Sequence, residues 1–273
     1  YKEAIEDFDK FIFQENKVAD AYIGRGAAYL YLKDTVRALE NFDQAIRTNR
    51  ENPNGYYQRG TLLLQKEEYA RAEADFDMSI RCDSTFLPPY FNRAVVYSNT
   101  NRPMQALADF DRVLQLDSTN SFTYFNRAIL RTQIGDYNRA LDDFDRVALY
   151  SPGNVQVYYL RAMLKTRLGD LEGAERDYTR AIELYPDFAN AYLNRSALRY
   201  ALHNPKAAKR DEEIAQRKIA EYKSHLKDST YSIYADTTQR FDRLLSFDSK
   251  FAGGSFDRIT GHNGGREEMR LLP

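Results

Sequence analysis

Acidic residues recur two places apart along this chain, at Asp7/Asp9, Asp75/Asp77, Asp109/Asp111 and Asp143/Asp145. Two neighbouring carboxylates are what a divalent cation or a general acid–base pair needs. On a helix, however, residues two apart splay by about 200°, so no such pair closes on one ion. His203, His225 and His262 lie far apart and belong to no spaced ligand motif, which makes them surface or loop residues. Cys82 is the lone cysteine. It excludes an intrachain disulfide and a multi-thiolate metal site, and at a helix end it is expected to be a small buried apolar residue. The glycine-rich stretches 252–255 and 261–265 lack the Lys-Ser/Thr ending of a phosphate-binding loop and read as flexible loop. With no nucleophile beside a base, no acid pair in a cleft and no metal cage, the expectation is a protein that is not an enzyme and needs no cofactor or metal.

What positions these residues is a repeat. Tyr22, Tyr56, Tyr90, Tyr124, Tyr158 and Tyr192 stand at a constant step of 34, followed three places later by Arg25, Arg59, Arg93, Arg127, Arg161 and Arg195. Ala38, Ala72, Ala106, Ala140, Ala174 and Ala208 keep the same register. The chain has 21 Tyr in 273 residues, so six hits from six at one spacing cannot be composition. Each unit divides into two amphipathic helices. From Phe122 to Ile134 the apolar places Tyr124, Phe125, Ala128 and Ile129 recur at helical spacing and stop at Gly135-Asp136. A second helix opens near Tyr137, carries Ala140, Leu141, Phe144 and Val147 on one face, and ends at Ser151 to Asn154. Gly26, Gly60, Ala94, Ala128, Ala162 and Ser196 are small enough to let the two backbones approach against the partner helix's alanine. A bulky residue there would overpack the contact by about 1–3 kcal/mol.

Tyr124, Ala128, Gly135, Tyr137, Ala140, Phe144, Pro152 and Asn154 together resemble the tetratricopeptide repeat (TPR) family, and the likeness runs from Tyr1 to about Tyr222. Pro103 and Pro205 depart from it where an aromatic usually opens the second helix, a place that tolerates proline. Glu212 replaces the aromatic of Phe144, so the last second helix should face water as a cap. The resemblance implies an all-α fold, an α-α superhelix of antiparallel helix pairs. The units are 19–52, 53–86, 87–120, 121–154 and 155–188, with a degenerate capping unit with an extended helix at 189–228. Residues 1–18 would be the second helix of a unit whose first helix is missing, so the natural protein is expected to continue upstream. The segment 229–273 is non-repeat: a short helix near Asp236 to Phe247, then loop, either capping the array or entering its groove as an internal ligand.

The family usually has an apolar residue where every unit here has Arg. A guanidinium partly buried between helices needs a carboxylate. A structural ladder is therefore expected, joining Arg93, Arg127 and Arg161 to acids such as Asp75, Asp109 and Asp143. The family also binds its ligands in a channel lined by the first helices. The residues just after the tyrosines, Ile23, Tyr57, Phe91, Phe125, Tyr159 and Leu193, either face that channel or pack against the adjacent repeat. Beside them stand Gln58, Asn92, Asn126 and Asn194, amides able to grip a peptide backbone, with a gap at Leu160. Members that clamp an acidic chaperone tail carry Lys and Arg in this channel. Here the lining is aromatic and amide, with Arg167 the obvious cation, which argues against that ligand.

The 39 Lys and Arg nearly cancel the 40 Asp and Glu, so no global field draws nucleic acid or an anionic membrane. No apolar run approaches the roughly 20 residues that cross a bilayer. The compartment is not readable, since a secretion signal could lie upstream. The expected function is a non-catalytic scaffold that holds a peptide or protein segment in the concave groove. The alternatives are a self-association module forming a homo-oligomer and the binding subunit of a larger enzyme complex.

Overall fold

The computed structural model describes residues 1–224; the expected helix at 236–247, the glycine-rich stretches, His225 and His262 lie outside them. The described residues form thirteen α-helices and no strand. Six are the first helices of a repeat: α2 (Ala19–Tyr31), α4 (Pro53–Gln65), α6 (Leu87–Asn99), α8 (Ser121–Gln133), α10 (Val155–Leu168) and α12 (Ala189–Ala201). Seven are second helices: α1 (Lys2–Gln14), α3 (Thr35–Thr48), α5 (Tyr69–Cys82), α7 (Pro103–Leu116), α9 (Tyr137–Tyr150), α11 (Leu171–Leu184) and α13 (Pro205–Ser224). The chain divides into two compact units, and the division falls inside α8, between Thr123 and Tyr124.

Each hairpin turns in the same way. One residue past the first helix adopts a left-handed conformation, at Lys33, Glu67, Asn101, Gly135, Gly169 and His203, again 34 apart. His203 is thus a turn residue. The αL residue lets the last carbonyls of the helix find partners: the Asp136 N–H bonds the Arg131 carbonyl at 2.8 Å and the Gly135 N–H bonds that of Thr132 at 3.2 Å. Short polar side chains then cap helices. Asp34 accepts from the Arg37 N–H and Asp170 from that of Gly173, while Asn52 and Asn154 cap α4 and α10. Pro103 and Pro205 are the first residues of α7 and α13, where a missing N–H costs nothing.

In the first unit, α2/α3, α4/α5 and α6/α7 pack as antiparallel pairs, and α1 packs on α2. Ala38, Ala72 and Ala106 are fully buried beside Phe42, Phe76, Phe91 and Phe110. At Gly26 and Gly60 the nearest neighbours on the second helix are phenylalanine rings. A Cβ on Gly26 would lie 2.6 Å from the Phe42 ring, and one on Gly60 would lie 2.9 Å from that of Phe76. In the second unit α10/α11 and α12/α13 pair, around buried Ala140, Phe144, Val147, Tyr178 and Phe188. Here Ser196 does meet the alanine backbone, its hydroxyl donating to the Ala208 carbonyl at 2.9 Å. The last second helix, α13, has 20 residues where its predecessors α3, α5, α7, α9 and α11 have 14. Glu212 is exposed on it, while Ala208, Asp211 and Ala215 bury the opposite face.

Candidate protein-binding site

The 34-residue tyrosine has two tasks. The hydroxyls of Tyr22, Tyr90 and Tyr158 donate to the carbonyls of Asn16, Ser84 and Pro152, six residues back, at 3.2–3.3 Å, tying each first helix to the turn that precedes it. The arginine one turn along lies over the ring: Arg93 over Tyr90 at 5.7 Å, Arg127 over Tyr124 at 5.4 Å, Arg161 over Tyr158 at 5.4 Å.

Arg59, Arg93 and Arg161 meet acids sixteen residues ahead and sixteen behind. Arg59 forms two hydrogen bonds to Asp75, of 2.8 and 2.6 Å, and one of 2.6 Å to Asp43. Arg93 takes Asp109 in the same forked way and Asp77 at 2.6 Å; Arg161 takes Asp177 and Asp145. Arg127 forks onto Asp143 at 2.9 and 2.6 Å, and Arg195 onto Asp211. Of the acids expected for the ladder, Asp109 belongs to Arg93 and Asp143 to Arg127, while Asp75 belongs to Arg59 and Arg161 takes Asp177. The acids two apart explain themselves as well. Asp75 faces the arginine of its own hairpin and Asp77 that of the next, because a 200° splay aims the two carboxylates at two different neighbours. The first repeat is a variant, with Arg25 bonded to Asn41 at 2.7 Å and to Asp9.

In the second unit each of these buried acids also receives a cation from one turn further along the first helix. Arg131 reaches Asp143 at 2.7 Å, Lys165 reaches Asp177 at 2.8 Å, and Arg199 reaches Asp211 at 2.9 Å. Burial pushes the carboxyl of Asp143 upward, against the pull of Arg127 and Arg131. The hydrogen bonds to Asp75 hold the Arg59 guanidinium further above its already high range.

The ring stripe and its amides are interior. Phe91 and Phe125 are fully buried, and Tyr57 and Tyr159 nearly so. Tyr57 packs edge-on against Phe86 at 5.4 Å, as Phe91 does against Phe110 at 5.3 Å; Phe91 stacks on Phe122 at 4.9 Å, and Tyr159 lies tilted against Phe188 at 4.6 Å. Phe125 meets Phe144 of α9 at 6.2 Å. Asn92 is fully buried and donates to the Thr61 hydroxyl at 3.1 Å; Asn194 donates to the Tyr159 hydroxyl at 3.0 Å; Asn126 is fully buried and Gln58 half-buried. Of the two placements the sequence left open, the rings take the packed one. The side chain that follows the tyrosine points into the seam between its own second helix and the start of the next hairpin. A backbone-gripping amide ladder at Asn92 and Asn126 is corrected on the same ground, since atoms without solvent contact cannot reach a guest.

What is open lies a turn further on. A cleft of about 710 Å³ is bordered by Ile129, Thr132 and Gln133 of α8, Tyr137 and Phe144 of α9, and Leu160, Met163, Leu164, Thr166 and Arg167 of α10. Ile129 and Met163 occupy one repeat position, and Gln133 and Arg167 another, so two successive first helices form its sides. Phe144 and Leu164 are buried at its base, while Met163 is 44% exposed. The Arg167 guanidinium lies 4.6 Å over the Tyr137 ring. Both threonine hydroxyls donate back to their own helix, to the Ala128 and Ala162 carbonyls at 2.8 Å, which leaves their methyl groups as lining. The sequence carried one signal of this place, the leucine that interrupts the amides at 160. Cys82 is half-buried, with its sulfur 3.5 Å from the Arg50 carbonyl and its thiol pushed up by burial. Among the described residues no three His, Cys, Asp or Glu are grouped to hold a metal, and no helix is long and apolar enough to cross a membrane.

Antiparallel helix pairs recurring every 34 residues, locked by one repeated ion-pair pattern, define an all-α repeat fold. Two family models described as tetratricopeptide repeat match the chain, at residues 23–85 and 155–188. The chain carries tetratricopeptide repeats in both stretches. Similar solved structures include YrrB, described as a TPR protein with an unusual peptide-binding site, at 23% identity over 68% of this chain and 96% of that one, with a TM-score of 0.58. PilF of Pseudomonas aeruginosa aligns at 16% identity over 80% of this chain and 95% of its own, TM-score 0.63. A tetratricopeptide repeat protein from Parabacteroides merdae aligns at 20% over 76% and 79%, TM-score 0.59. No curated protein sequence matches the chain. Its fold is that of a protein-interaction scaffold.

Proposed function

We propose that the protein is a non-catalytic scaffold that holds a segment of another protein in the cleft between α8, α9 and α10. The observation that supports this reading is the cleft itself: about 710 Å³, apolar at its base, with Met163 and Arg167 exposed at its rim. Sites that take small ligands or a few side chains span about 300–1,000 Å³ and combine an apolar lining with a few polar groups. The arginine ladder is spent on holding hairpins together and is a structural device in this reading. Peptide binding is also what YrrB, of the same fold, is described as doing.

The reading is tested by comparing proteins retained from the source cell by the full chain and by two variants. Met163→Glu places a charge at the cleft rim, and Glu172→Ala alters an exposed site on α11. Both should keep the melting temperature, and the cleft variant alone should lose its retained partner. Equal recovery by all three chains refutes the reading.

A further inference from the structure

The cleft also carries a specificity. We propose that it takes an extended peptide segment with one bulky apolar residue and, two positions along, an aspartate or glutamate whose carboxylate pairs with Arg167. This rests on the cleft being a binding site, as argued above, and adds the chemistry of the occupant.

Charge is the first argument. The guanidinium groups of Arg59, Arg93, Arg161, Arg195 and Arg199 all bond carboxylates of the chain. Arg167 has the Tyr137 ring beneath it, and among the described residues no carboxylate lies within ion-pair distance of it. A guanidinium stacked on a ring is covered on one face and keeps its in-plane N–H groups for a planar acceptor, the geometry in which arginine binds carboxylates through two hydrogen bonds.

Spacing is the second. Met163 and Arg167 are four apart on α10 and so lie on one face, with Cβ atoms about 5–6 Å apart. On an extended chain, residues two apart point the same way at about 6.6 Å. A peptide crossing that face can set its apolar side chain against Met163, Ile129 and Leu160 and its acid on Arg167.

The third is the local sequence at this junction. Where α4, α6, α8 and α12 have Gln58, Asn92, Asn126 and Asn194, and α2 has Gly24, α10 has Leu160. Asn92 and Asn194 cross to the preceding first helix and close that space with a hydrogen bond; a leucine makes none. The next turn then adds Met163, a flexible side chain that adapts to apolar guests.

The test is selection from a displayed library of random 12-residue peptides with the full chain, repeated with Arg167→Glu. The wild type should enrich an apolar residue followed two places later by Asp or Glu. Replacing that acid by its amide in a selected peptide should weaken binding about tenfold, the loss of one charge-assisted contact. Arg167→Glu should keep the apolar preference and lose the acidic one. If selected peptides slow amide exchange in α8 and α10 but lack the acid, or bind Arg167→Glu equally well, this inference fails while the cleft remains a binding site. If no peptide is enriched, or those enriched protect other helices only, both readings fall.

Discussion

A guanidinium buried between two helices is unfavourable until a carboxylate meets it, and the forked bonds from Arg127 to Asp143 show how that is resolved at every hairpin after the first. Asp143 is 2% exposed and also takes Arg131, so its removal would take the buried carboxylate away from two cations. Asp143→Asn is expected to cost about 3–5 kcal/mol in urea unfolding, mostly from the orphaned charges. In a double-mutant cycle, Arg127→Met with Asp143→Leu should cost far less than the sum of the singles; additive losses would show that the pair is not coupled. The 34-residue period made Arg127 and Asp143 stand out in the sequence, but not which acid each arginine takes. Acids two apart are equally periodic, and only the splay around the helix separates Asp75 from Asp77. Tyr178 gives a second prediction at this scale. It stands where Phe42, Phe76, Phe110 and Phe144 stand, buried, with Thr166 and Asn194 as hydrogen-bond partners, and burial holds its phenol well above the usual range. Up to about pH 10 folded and unfolded chains both keep this proton. Above that the unfolded chain loses it first, so stability should fall by about 1.4 kcal/mol per pH unit from this group. Tyr178→Phe should remove that part of the decline between pH 9 and 11 while changing stability at pH 7 by about 1 kcal/mol or less; parallel pH profiles would contradict it.

At the scale of the element, the hairpin depends on one left-handed residue between its helices. Gly135 supplies it with φ +83°, and a Cβ added there would meet nothing within 4 Å. The cost of Gly135→Ala is therefore a backbone cost alone, about 1 kcal/mol, read as a lower melting temperature. An unchanged melting temperature would mean that the turn tolerates a side chain freely, as the non-glycine residues at Lys33, Glu67, Asn101 and His203 adopt the same conformation. The helices and their turns were readable because apolar spacing, proline and the repeated breakers all agree on one boundary. The facing of the first helices was not. Moving one residue along a helix rotates a side chain by about 100°, and the stripe after the tyrosines falls on the packed side.

For the whole molecule, the proposed binding and the stability rest on different residues. The ladder and the ring seam are buried and hold hairpin to hairpin, whereas Met163 and Arg167 are exposed at the rim of the cleft. This is why Met163→Glu is expected to abolish binding at an unchanged melting temperature, while a change at Asp143 must act on stability. Near-neutral charge, 39 basic against 40 acidic residues, also fits a surface that recognises a partner by local pairs more than by a long-range field.

The amino-acid sequence by itself determined the period, the two helices in each period, the buried alanine and aromatic faces and the presence of arginine opposite acid, because each of these is a local choice repeated until chance is excluded. Tertiary structure decided which side of each first helix became interior, which acid each arginine met and where a cleft stayed open. Those outcomes depend on how helices of neighbouring hairpins approach one another. Leu160 lines that cleft in place of an amide while leaving the period intact.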